Sequence, residues 1–173
     1  LDHYVLPQDE LYHAIENNQL HRNFQGYCTR RTTGQVYAFG VSAISQLSSA
    51  YMQNTKGLNQ YIQSIKNGAL AVEKGHVLTP EQKVVGAVIT QLMCNLNLDL
   101  EAMAKQYGYT IDSFKAVTGF NASKLESFVE DGLIEYQNHT LKVNRKGALF
   151  IRNIAAAFDP AYTAQINKYS KSV

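Results

Sequence analysis

The sequence predicts a mainly α-helical protein with a small β component, arranged in two parts. Three observations support this. From residue 78 onward, capped segments with helical apolar spacing follow one another. Only two stretches, 35–47 and 133–143, carry strand patterning. The texture of the chain changes near residues 68–78, which places the boundary between the two parts there.

In chain order, Pro7 followed by Asp9 and Glu10 reads as a helix start, with proline in the first turn and acids at the positive dipole end. Leu11, Ala14 and Ile15 form its apolar stripe, and Asn17-Asn18 ends it. "LHRNFQGYCTRR", residues 20–31, has no periodicity and reads as a loop. "QVYAFGVSAISQL", residues 35–47, is rich in β-branched and aromatic residues and reads as a short buried strand leading into a turn. Leu58, Tyr61, Ile62 and Ile65 predict a helix over about residues 55–67, before Gly68.

In the second part, "LTPEQ" (78–82) is a helix start with Thr79 as cap, Pro80 at the first helical position and Gln82 completing a capping box. Val84, Val85, Val88, Ile89, Leu92 and Met93 give this helix a wide apolar face. A short helix with Leu100, Met103, Ala104 and Tyr107 closes at Gly108, and another covers Ile111 to about Val117. Asn121 caps a further one, carrying Leu125, Phe128 and Val129 and stopped by Gly132. Residues 133–143 alternate in two arms around Asn138-His139, a β-hairpin pattern. A last helix runs from about Asn144 to Pro160, with Ile151, Ile154, Ala155 and Phe158 on one side. Helices followed by a hairpin is the order of a winged-helix unit.

Composition narrows the function. The 173 residues carry a net charge of +2, too little to suggest nucleic acid or an acidic membrane surface as partner. No apolar run approaches the roughly 20 residues that span a bilayer, and no signal-peptide pattern opens the chain, so the expectation is a cytoplasmic protein. Cys28 and Cys94 are far apart and form no C-x-x-C pair, which fits a reducing compartment. The chain opens at Leu1 and runs straight into structured-looking sequence, the expectation being a piece of a longer protein.

A winged helix invites a DNA-binding reading, and the residues argue against it. The segment that would enter the major groove, about 121–131, offers Lys124 against Glu126, Glu130 and Asp131. Affinity for DNA needs cations at phosphates, and specificity needs Arg, Lys, Asn or Gln at base edges. Arg145, Lys146 and Arg152 are equally explained as a solvated helix start. The five histidines, His3, His13, His21, His76 and His139, lack metal-ligand spacing; most read as solvated, His139 in its hairpin turn above all. "GVSAIS" (40–45) lacks both the phosphate-cradling glycine pattern and the G-x-S-x-G elbow, so a core strand closing with small residues is favoured over Ser42 as a nucleophile.

The 20–31 segment carries more chemistry than a linker needs. Phe24 offers an aromatic face for a ring, Gln25 donors and acceptors for a polar edge, and Arg22 a partner for a carboxylate. A structural brace, with Arg22 and Asn23 tying the backbone and Phe24 plugging the core, accounts for the same residues. Both readings stay open on these grounds.

"LHRNFQGY" (20–27), "GVSAIS" (40–45), "QLMCNLNLDL" (91–100), "EDGLIE" (130–135) and "RNIAAAFD" (152–159) occur in this order and spacing. Together with "LDHYVLPQDEL" at the start, they resemble the C-terminal part of the oxygen-independent coproporphyrinogen III oxidases, radical S-adenosylmethionine enzymes of haem biosynthesis. The resemblance covers all but the last dozen residues. It implies that residues 1–70 are the last elements of a radical (β/α) barrel, 76–160 a helical, winged-helix-like C-terminal domain and 161–173 a tail. It implies a [4Fe–4S] cluster held by a C-x-x-x-C-x-x-C motif, which this sequence lacks, so that no catalytic residue is assigned here and the chain alone is expected to be inactive.

The reaction implied is oxidative decarboxylation of two propionates of coproporphyrinogen III to vinyl groups, giving protoporphyrinogen IX. At the matching positions, Phe24, Gln25 and Ile44 would contact S-adenosylmethionine. His21 and Arg22, in the same segment, are candidate partners of a substrate propionate by their charge, while Arg30 and Arg31 depart from the family pattern and receive no role. The remaining partner implied is the N-terminal barrel of the same protein, in a full-length monomer. The other readings are a winged-helix binding module and a haem-chaperone relative, whose phrase at "HRNFQGY" is shorter.

Overall fold

The structure, a computed structural model, describes residues 5–23, 26–29 and 35–162. Helix α1 spans Glu10–Glu16. It starts after Asp9, whose carboxylate accepts from the Leu11 N–H at 2.8 Å, so Pro7 lies in the preceding turn and not in the first turn of the helix. An Asx cap satisfies a helix-start N–H, which proline cannot do. Asn17 ends α1 as expected, its amide donating to the His13 carbonyl at 2.8 Å.

The segment read as a loop is instead a β-hairpin. β1 (Leu20–Asn23) pairs antiparallel with β2 (Gly26–Thr29), from Leu20 opposite Thr29 to Asn23 opposite Gly26. Gly26 takes φ +139°, a backbone that side chains disfavour, so glycine is required where β2 begins. Polar groups on both strand faces hid the alternation.

Residues 35–47 are also corrected. Only β3 (Ile44–Gln46) is a strand, with Val36 bridging back to Gln46. Ser42 at φ +58° and Gly40 at φ +99° turn the chain between them, and the Asn54 amide pins that turn at the Gly40 carbonyl, 2.9 Å away. Tyr37 and Phe39 consequently project into solvent, Phe39 at 88% exposure.

β4 (Ala50–Asn54), α2 (Leu58–Lys66) and β5 (Val72–Val77) follow. The sheet order is β3-β4-β5, antiparallel throughout. β5 runs through the stretch where the texture changes. α2 forms where its apolar spacing predicts but buries no residue, leaving Leu58 and Ile65 largely exposed.

α3 (Pro80–Asn95) begins at the expected capping box. Thr79 Oγ1 accepts from the Gln82 N–H at 3.2 Å, and Gln82 Oε1 accepts from the Thr79 N–H at 3.0 Å. The exposed Glu81 carboxyl is held below its ordinary pKa by a backbone N–H of this first turn and by Thr79. We expect Thr79→Ala to lower stability by about 1 kcal/mol in urea unfolding, the usual loss on removing an N-cap hydroxyl.

Beyond α3 lie β6 (Asn97–Asp99), α4 (Leu100–Gln106), α5 (Ile111–Val117), a 3-10 turn (Ala122–Leu125), α6 (Glu126–Glu130), β7 (Ile134–Gln137), β8 (Thr140–Val143), a second 3-10 turn (Gly147–Phe150) and α7 (Ile151–Ala156). The predicted hairpin is β7–β8, with Asn138 and His139 both at positive φ in its turn. β6 adds to it from a distance in sequence, giving the order β6-β8-β7. The main core sits here: Val88 and Leu92 of α3 meet Leu98, Phe114, Leu141, Ile154 and Phe158, all fully buried. A smaller cluster of Ala14, Leu20 and Cys94 joins α1 and the first hairpin to α3.

Eight strands in three sheets accompany seven α-helices among the described residues, so the fold is mixed and its β component is not small. His139 is corrected too: it is half-buried, with Nδ1 shielded from solvent and Nε2 3.9 Å from a Glu101 carboxylate oxygen. Its carbonyl accepts from the Leu100 N–H at 2.9 Å, which draws the turn against the start of α4. Lys124 donates to the Gly119 carbonyl at 2.7 Å and to that of Ala157 at 3.4 Å, so its ammonium closes ends of helices. Among the described residues no helix is long and apolar enough to cross a membrane.

Candidate functional site

A cleft of about 740 Å³ opens between β1, the turn after β3, α3 and α4. His21, Gln46, Tyr51, Gln91, Asn97 and Tyr107 stand on its walls. Its depth comes from small residues on one side of α3: Gly86, Ala87 and Thr90 line it where longer side chains would fill it. Carboxamides, which present donors and acceptors together, are the commonest polar groups of the lining, with Lys83 and Asp99 of opposite charge. Such a surface selects by hydrogen-bond geometry more than by net charge.

An amide network fixes the hairpin wall. Asn95 Oδ1 accepts from the Leu20 N–H at 3.1 Å, and Asn95 Nδ2 donates to the Leu20 carbonyl at 3.2 Å. The same Nδ2 reaches Gln91 Oε1 at 3.2 Å, and Gln91 Nε2 donates to Asn97 Oδ1 at 3.2 Å. Asn97 Nδ2 donates in turn to the Asn95 carbonyl at 2.8 Å and to Asn18 Oδ1. Buried polar groups without partners are expensive, and this chain of bonds leaves the backbone of Leu20 satisfied on α3.

His21, next to Leu20, is half-buried and lines the cleft. Arg22 follows it and by strand alternation turns to the other face, exposed, with its guanidinium 5.5 Å from the Tyr27 ring centre. Ile44 is half-buried at the head of β3, on the same strand face as Gln46, which lines the cleft. The structure thus places His21 on the cleft wall and Arg22 on the other face of β1, while Ile44 is not among the residues that line the cleft. Phe24, Gln25, Arg30 and Arg31 lie outside the described residues.

The cysteines do not make a metal site. Cys28 is half-buried on β2 opposite His21, with the Asn23 amide 3.9 Å from its sulfur, and Cys94 is buried in α3. Among the described residues no three His, Cys, Asp or Glu converge as metal ligands, so an iron–sulfur cluster does not fit the residues present.

Gln91, Asn95 and Asn97 received no role from the sequence, although a signal was there. Val84, Val88, Leu92 and Asn95 fall at successive four-, four- and three-residue steps, which puts Asn95 on the buried stripe of α3. A carboxamide continuing an apolar stripe must have partners.

Comparison with known proteins finds relatives of this chain. Residues 78–150 match the family described as HemN C-terminal domain. The oxygen-independent coproporphyrinogen III oxidase of Salmonella typhimurium is 38% identical over 165 residues, covering 95% of this chain and 35% of that protein. That of Pseudomonas aeruginosa is 38% identical over 168 residues, covering 97% of the chain and 35% of the relative. The solved coproporphyrinogen III oxidase of Escherichia coli, described as a radical SAM enzyme, superposes with a TM-score of 0.82 at 35% identity, over 92% of this chain and 36% of that one. The chain spans about a third of the length of the relatives it matches.

Proposed function

We propose that the chain belongs to the oxygen-independent coproporphyrinogen III oxidase family and forms the C-terminal part of such an enzyme. The reaction is oxidative decarboxylation of two propionates of coproporphyrinogen III to vinyl groups, giving protoporphyrinogen IX. The observation that carries this reading is the superposition of nearly the whole chain on the Escherichia coli enzyme. On this reading residues 1–70 end the radical-SAM barrel, 76–160 form a winged-helix-like domain and 161–173 are its tail. The succession of α3 to α6 before the β7–β8 hairpin supports the winged-helix description. The exposed apolar side chains of α2 suit a surface that the rest of the enzyme covers. The intact enzyme is a cytoplasmic monomer.

S-adenosylmethionine, when bound, supplies the radical chemistry of this family. Phe24, Gln25 and Ile44 would hold it: an aromatic face, an amide and an apolar side chain suit an adenosyl group. The half-buried Ile44, on the strand face that carries Gln46 to the cleft, supports its share of that role. The cluster ligands belong to the remainder of the enzyme, in line with the two isolated cysteines here. His21 meets a substrate propionate from within the cleft. Arg22, stacked on Tyr27, serves one that approaches from the opposite strand face. The work of these residues is to orient bound groups and exclude water.

The test uses the intact, anaerobically reconstituted protein. Gln25→Ala should weaken S-adenosylmethionine binding about fivefold to tenfold, the scale of one lost hydrogen bond, and slow protoporphyrinogen formation. Its iron content should equal that of the parent protein. Loss of the cluster in this variant, or a parent protein that binds haem and makes no protoporphyrinogen, would overturn the reading.

A further inference from the structure

We propose that Asn95 is a positioning residue: from the C-terminal domain it carries the placement of the β1–β2 hairpin, whose two strands flank positions 24 and 25 in sequence. This rests on the reading that Phe24 and Gln25 contact S-adenosylmethionine.

The geometry is specific. Leu20 is 1% exposed, and both its N–H and its carbonyl bond to the one carboxamide of Asn95, at 3.1 and 3.2 Å. A residue whose two main-chain groups both leave the hairpin on the same side sits at a non-hydrogen-bonded pair position, here opposite Thr29. The Asn95 side chain therefore acts as a one-residue third strand on the outer edge of β1. The bond spans 75 positions in sequence and reaches from the matched family domain to a segment outside it. Asn95 is itself 8% exposed, with its amide held by Gln91, and Leu20 packs on Cys94 next to it.

β1 and β2 make a two-stranded sheet of four residues each, and two strands alone are marginal in water. Register within the pair follows from the turn, but the pose of the pair on the body depends on what grips its edge. Two hydrogen bonds from a planar amide fix both position and rotation of Leu20. His21 is the next residue, and Phe24 follows three positions beyond it in sequence. A small rotation at Leu20 would be amplified along the strand toward residues 24 and 25.

The experiment is hydrogen exchange by mass spectrometry on the intact protein, combined with cofactor affinity. In the parent protein without S-adenosylmethionine, the peptide covering residues 17–23 should show a protected Leu20 amide. Exchange of that amide within the dead time would overturn the proposal without any variant being made. Asn95→Ala should speed exchange there about tenfold or more and weaken S-adenosylmethionine binding, with iron content unchanged. Cys94→Ala loosens the same contact but leaves both bonds to Leu20. It should lower the melting temperature while keeping affinity, so a fall in affinity equal to that of Asn95→Ala would reduce Asn95 to packing and overturn the proposal. If Gln25→Ala weakens binding and Asn95→Ala does not, positioning fails while the cofactor reading stands. If Asn95→Ala frees the Leu20 amide and neither variant alters affinity, the cofactor reading fails instead and the tether stands as a structural device only.

Discussion

Gly147→Ala should be among the most destabilising single substitutions in this chain, lowering stability by about 3 kcal/mol or more. A Cβ at this position would overlap the Leu133 carbonyl oxygen and lie 2.9 Å from Val143 Cγ1. Neither neighbour can retreat. The Leu133 carbonyl accepts from the Asn144 N–H, the Asn144 amide donates to the Gly132 carbonyl at 2.7 Å, and Asn144 Oδ1 accepts from the Gly147 N–H at 2.9 Å. These bonds clamp the turn before α7 onto both arms of the β7–β8 hairpin, so one added carbon forces the clamp open. Gly86→Ala is the matched control. Its Cβ would meet nothing within 4 Å, on an exposed position of α3, and alanine there should stabilise by about 0.5–1 kcal/mol. Urea unfolding of the two variants should move in opposite directions. A Gly147→Ala midpoint equal to that of the parent would refute the clamp.

Phe158→Ala should be of similar size, about 3–5 kcal/mol, for a different reason. The Phe158 ring is fully buried and stacks on Phe120, with centroids 4.6 Å apart and planes 2° from parallel. Phe120 also meets Tyr136 edge-on at 5.7 Å. Removing Phe158 leaves a ring-sized void between α7, the loop after α5 and β7, and the loss includes both transfer free energy and the cavity. Phe158→Leu, which keeps most of the volume, should lose less than half as much. Equal losses for the two variants would show that ring stacking, and not the void, dominates.

How legible all this was in the sequence depended on whether local chemistry and burial agreed. The capping box at Thr79, the glycine stops and the Asn138-His139 hairpin were readable because each is set by a few neighbouring residues. β5 was not, since all six of its residues are exposed and main-chain pairing alone makes it a strand. β6, three residues long, exists only because β8 is there to receive it. At the candidate site, His21 stood out for its chemistry. The opposite wall did not, because Gln91 and Asn97 look like ordinary surface amides until α3 and β6 bring them to face β1. The tyrosine face under Arg22 was likewise invisible without the register that sets Arg22 opposite Tyr27.

The bond between the His139 carbonyl and the Leu100 N–H bears on where this protein can accommodate inserted sequence. Exposed hairpin tips are ordinarily the places where loops lengthen between homologues and where engineers splice in tags or reporter domains. This tip is closed by two left-handed residues and sewn to the first turn of α4, which follows directly on the strand pairing with β8. Extra residues there would unpick a helix start as well as a turn. The solvent-facing turn between α2 and β5, at Asn67–Leu70, has no such second attachment to a helix start and is the better point of entry.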